Sequence, residues 1–219
     1  MFRQIFRVQW LALRLPVVLL AVLAFALPLL TVTYGGGLEG GPAGRTAQWL
    51  FEAQQIGQLI PLLAMLAGIL LGIGAWASDH AGKHVYALSL PVTRARYVWL
   101  RFCAGAALLL IVVAALSIGA LLAVVSVRLP SGVHAFPIAL TARFLVATFV
   151  CYAIFFAIAI STRRAALAVL GVIGGLLLAD VLLSAMGGSA TVTPTLFMWL
   201  TNWPGPLAIL MGRWALFDV

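Results

Sequence analysis

Residues 102–127 read FCAGAALLLIVVAALSIGALLAVVSV, 26 consecutive positions without a charged side chain. A helix rises 1.5 Å per residue and a bilayer core is about 30 Å thick, so this run is more than long enough to cross one. Similar runs occupy 15–34 and 56–77 before it, and 143–162 and 165–186 after it. The fold class predicted is an all-α polytopic membrane helix bundle with five clear spans, forming one transmembrane domain over 1–219. Composition agrees: 64% of the chain is hydrophobic and 8% is charged. Soluble domains carry about 25% charged residues, and a core of this size could not hide so much apolar surface from water.

The two ends of the chain are less regular. Phe2, Ile5, Phe6, Trp10 and Leu13 share one helical face, with Arg3, Arg7 and Arg14 on another. That spacing predicts an amphipathic elbow helix over 2–14, lying in the headgroup layer ahead of the first span. The N-terminus lacks a small-residue cleavage site after its first apolar run, so the segment reads as retained. Near the other end, Asn202, Pro204 and Pro206 interrupt 195–216. Each proline removes a backbone donor, so this stretch reads either as a kinked sixth span or as short re-entrant helices.

Orientation follows from basic residues, of which there are 13 against 5 acids. Arg3, Arg7 and Arg14 precede the first span. Lys83, Arg94, Arg96 and Arg101 lie between the second and third, and Arg163 and Arg164 between the fourth and fifth. All fall on one side, which the positive-inside rule makes cytoplasmic together with the N-terminus. This pattern points to anionic headgroups as the partner of the basic residues rather than to nucleic acid. Arg3, Arg7, Trp10, Arg14, Arg96 and Arg101 are the expected interfacial residues.

The long loop on that side, 78–101, reads SDHAGKHVYALSLPVTRARYVWLR. Val85, Tyr86 and Leu88 suit a short helix after Gly82. Pro91 drives Leu90 out of the α region and ends it, and Thr93 can cap a second helix running through Arg94, Arg96 and Arg101 into the third span. The arrangement is a transverse helix, a proline break and a basic helix continuous with a span.

The run Asp79, Gly82, Tyr86, Leu88, Leu90, Pro91, Val92, Thr93, Arg94, Tyr97 and Arg101 resembles the loop between the second and third spans of type-2 ATP-binding-cassette (ABC) transporter permeases. The resemblance implies a coupling helix that docks on a cytoplasmic ABC ATPase, with Asp79, Gly82, Tyr86, Leu88, Leu90, Pro91 and Arg94 at the contact. It further implies a cell-membrane permease, read here as an exporter, working beside a second copy or a related permease. ATP and Mg would sit on the ATPase, with no cofactor in this chain. The nearest approach to a phosphate loop, GGPAGRT at 40–46, has the wrong glycine spacing and Arg in place of Lys. A motor would therefore be another polypeptide. Two rival classes are an integral-membrane enzyme of lipid metabolism and a non-catalytic anchor subunit of a larger complex.

Other polar residues are sparse. Asp180 is the one acid inside an expected span and so a pathway candidate, or else a structural partner of Arg143 or Arg128. His80 and His84 lack the Glu of a zinc-protease helix, and Cys103 and Cys151 lack paired spacing and read as packing residues. The pairs Gly68–Gly72 and Gly171–Gly175 make small-residue faces for close helix contact, within the chain or against a second copy.

Overall fold

The computed structural model describes residues 2–33, 43–81, 93–127, 129, 132–160, 192–202, 204–205 and 207–218, with scattered helical positions between 168 and 183. Its elements in chain order are α1 (Phe2–Thr33), α2 (Ala43–Gly57), α3 (Leu59–Ala81), α4 (Arg94–Val125), β1 (His134–Ala135), α5 (Pro137–Ile160), α6 (Val192–Thr201), a 3-10 turn (Ala208–Leu210) and β2 (Phe217–Asp218). Four helical stretches among the described residues are long and apolar enough to cross a membrane: Phe2–Val32, Leu50–Trp76, Arg94–Val125 and Pro137–Ile160. The expected fifth span over 165–186 falls largely outside the described residues.

Two parallel pairs make the core. On α1 the buried positions Gln9, Leu13, Val17, Leu20, Ala24 and Leu27 recur every three or four residues and form one stripe. That stripe lies against α4, where Gln9 meets Arg101 and, further along both helices, Phe25 meets Gly119. The second pair is α3 with α5. A Cβ on Gly68 would stand 2.8 Å from the Tyr152 amide nitrogen, and one on Gly72 2.9 Å from that of Phe156. The Gly68–Gly72 face therefore packs within the chain, backbone against backbone, as small-residue pairs allow. Because the obstacle is main chain and cannot swing aside, Gly72→Ala is expected to lower stability in detergent by about 1–3 kcal/mol. Thermal unfolding of the two proteins measures this.

Large apolar side chains opposite these seams are exposed, among them Leu15, Leu19 and Val22 on α1 and Leu110, Ile118 and Val125 on α4. Lipid tails solvate such faces, whereas water would not. Hydroxyls inside the helices are satisfied locally: Thr31 donates to the Pro28 carbonyl (2.6 Å) and Thr148 to that of Phe144 (2.6 Å). This spares each the cost of an unpaired polar group in apolar surroundings.

The starts of α1 and α4 and the ends of α3 and α5 share one end of the bundle, called here the basic end for Arg3, Arg7, Arg94 and Arg96. Two expectations are revised. Segment 2–14 is no separate elbow, since α1 runs unbroken from Phe2 to Thr33 through Pro16. Pro16 removes one internal bond, and the buried stripe continues across it from Gln9 to Val17. The second span is preceded by α2, separated from α3 at Gln58, whose amide is shared between the carbonyls of Gln54 and Gln55 at 3.2 Å each.

The stretch 195–216, expected as a kinked sixth span or as short re-entrant helices, holds no helix of spanning length among the described residues. Its helix α6 has 10 residues, about 15 Å of rise, half a bilayer core. Beyond it the chain forms a strap at the end opposite the basic one. There β2 pairs antiparallel with β1, His134 opposite Asp218 and Ala135 opposite Phe217. Trp214 and Phe217 are fully buried, and Gly57 leaves room for the Trp214 carbonyl. Arg143 ties the strap down by donating to the carbonyls of Ile209 (3.2 Å), Arg213 (2.5 Å) and Met211, with its guanidinium 4.5 Å above the Trp214 ring. Gly212 supplies the positive φ of 89° that the strap's turn requires.

Candidate functional site

At the basic end the sequence places Tyr97, Arg101, Ala104 and Leu108 on one stripe of α4, and that stripe is buried. Arg101 is therefore carried inward and is only 2% exposed. It does not reach toward headgroups as its position near the start of a span suggested. Its Nε donates to the Ala75 carbonyl of α3 (2.5 Å), and Nη1 donates to the hydroxyl of Tyr97 one turn back on α4. The guanidinium carbon lies 5.0 Å from the ring centroid of Trp76 and 5.5 Å from that of Tyr97. Arginine suits this place because a flat, weakly hydrated cation can stack on two aromatic faces while its edge donates.

The cage reaches each of the four long apolar helices among the described residues. Gln9 of α1 donates to the Arg101 carbonyl (3.2 Å). Trp76 of α3 touches Tyr97 at 6.4 Å between centroids and Phe156 of α5 at 5.3 Å. The residue after Arg101, Phe102, packs on Tyr152 and Phe156 at 5.1 and 5.2 Å, and Tyr152 donates to the Phe102 carbonyl at 2.9 Å. Gly105 makes room for the Tyr152 ring, which a Cβ there would meet at 2.9 Å. Among the described residues, Gln9 Oε1 and Trp76 Nε1 are buried without a hydrogen-bond partner, polar capacity that buried groups seldom leave unmet.

Arg101 clamps the two helices on either side of the segment expected to be a coupling loop. α3 ends at Ala81, soon after Ala75 and Trp76, and α4 starts at Arg94. Thr93 occupies the capping position in an extended conformation but makes no side-chain cap; its carbonyl accepts the Tyr97 amide at 3.1 Å. Gly82, Tyr86, Leu88, Leu90 and Pro91 lie outside the described residues, as does the side chain of Asp79. Arg94 and Arg96 are exposed, as are Arg3, Arg7 and Arg14, while Trp10 is half-buried against the core.

Asp180 is buried, at 6% exposure. The partner expected for it, Arg143, is instead engaged by the carbonyls of the strap, and Arg128 lies outside the described residues. The cage and the strap both escaped sequence reading, although the stripe that buries Arg101 was present as a spacing. No family model matches the chain, and no curated protein or solved structure matches it.

Proposed function

We propose that the chain is the permease subunit of an ATP-driven transporter of the type-2 ABC kind, working as an exporter, with its basic end in the cytoplasm. A separate ATPase would dock on the segment between α3 and α4 and carry the ATP and Mg. A second copy or a related permease would complete the pathway. One observation supports the reading best: Arg101 fastens the end of α3 to the start of α4, and its neighbours reach α1 and α5. A push on the segment between α3 and α4 would therefore move four helices together. Packed elements with discrete arrangements transmit such motions better than a loosely tethered loop.

Purification of the tagged chain from its native membranes tests the proposal. A Walker-motif ATPase should co-purify, and the complex should hydrolyse ATP. A reporter fused after Arg164 should behave as cytoplasmic and one inserted near Gly40 as external. Absence of any ATPase from the intact complex, or the inverse reporter pattern, would remove the basis for the reading.

A further inference from the structure

We propose that an exposed flank of α1 at the basic end binds anionic phospholipid, with Arg7 and Arg14 holding one headgroup phosphate. The face is defined by what it is not. The stripe Gln9, Leu13, Val17 and Leu20 is buried against α4, and on a 3.6-residue helix Arg3, Arg7 and Arg14 share a flank about a quarter to a third of a turn away from it. All three are exposed. Arg14 lies one turn from Leu11, which is 55% exposed and so faces lipid. The charge-free part of α1 begins after Arg14, and residues 15–33 span about 28 Å, close to one bilayer core. Arg14 thus stands at the hydrocarbon boundary, whichever leaflet the basic end occupies.

A guanidinium at that depth has to turn toward the headgroups. Helical side chains already lean toward their own N-terminus, and here that direction leads out of the membrane, over the turn holding Trp10 and Arg7. Arg7 lies about 10 Å further out along the axis and Trp10 about 6 Å, within the headgroup layer. Two guanidiniums therefore reach the level of the phosphates, and neither α1 nor α4 contributes a carboxylate there. Two converging cations favour a headgroup with net negative charge over a zwitterionic one, whose own ammonium would be repelled. Arg3, another turn outward, adds attraction at longer range.

The continuous α1 is what creates this site. Three arginines on an elbow lying flat would meet the headgroups separately, whereas a helix entering the membrane stacks Arg7 above Arg14 on one lipid. The proposal does not depend on the transport reading. Its test is lipid binding to the full-length protein in detergent, by native mass spectrometry and by the shift of the unfolding midpoint. The probes are phosphatidylglycerol, phosphatidylcholine and soluble glycerol phosphate. Phosphatidylglycerol should bind at least about tenfold more tightly than phosphatidylcholine, and glycerol phosphate should not protect. Arg7→Gln with Arg14→Gln should abolish the preference, with the lipid-free midpoint unchanged because both side chains are exposed. Arg96→Gln should leave the preference largely in place, and lysine at both positions should retain part of it. Equal binding of the two lipids by the wild type, full protection by glycerol phosphate, or an undiminished preference in the glutamine double variant would each overturn the assignment.

Discussion

Arg101→Ala is expected to destabilise the detergent-solubilised protein by about 3 kcal/mol, far more than Arg96→Ala. The substitution removes two hydrogen bonds from a charged donor, each worth about 1.5–3 kcal/mol, together with stacking on two rings. It also opens a cavity among Trp76, Tyr97 and Phe156, which the rigid rings cannot close. Arg96 is exposed, so its removal should change stability by no more than about 0.5 kcal/mol. Arg101→Lys should fall between the two, because an ammonium keeps the charge but lacks the planar fork that serves Ala75 and Tyr97 together. Thermal or denaturant unfolding of the four proteins measures the series. Equal midpoints for Arg101→Ala and Arg96→Ala would show that the cage contributes nothing to the bundle.

The burial of Arg101 illustrates what a sequence of this kind can reveal. Apolar runs longer than a bilayer core can be recognised without any tertiary information, and four of them coincide with long apolar helices among the described residues. Facing is harder where nearly every position is apolar, because lipid-facing and core-facing residues look alike. On α4, Leu109 is buried and Leu110 is 54% exposed, and nothing in their chemistry separates them. Arg101 breaks the uniformity, but a basic residue at the start of a span reads as interfacial. Its spacing from Tyr97, Ala104 and Leu108 was the signal that it lies on the buried stripe. The Gly68–Gly72 face was readable as a close contact, although not which helix would meet it. The strap was not readable, since a two-residue strand has no period and the carbonyls that Arg143 engages carry no side-chain signature.

On the proposed permease reading, replacing Tyr86 and Leu88 together by Ala is expected to release the partner ATPase while leaving membrane insertion intact. Docking energy concentrates in a few aromatic and aliphatic anchors at the centre of a contact, so losing two should cost about 3 kcal/mol, roughly a hundredfold in affinity. Arg94→Ala should cost less, because Arg94 is exposed and a rim charge acts through a screened interaction that weakens with salt. Arg101→Ala offers a useful contrast. It should leave docking in place but loosen the link between the docked ATPase and α1, α3, α4 and α5, so that hydrolysis continues with poorer coupling to transport.

The measurement closest to the central claim is therefore ATPase co-purification and ATP hydrolysis with the Tyr86→Ala/Leu88→Ala protein, beside wild type in the same membranes. The expected result is a normally inserted permease that no longer retains the ATPase or stimulates its hydrolysis. A double variant that retains both at wild-type level would contradict docking at this segment, and with it the assignment of the chain as an ATP-driven permease.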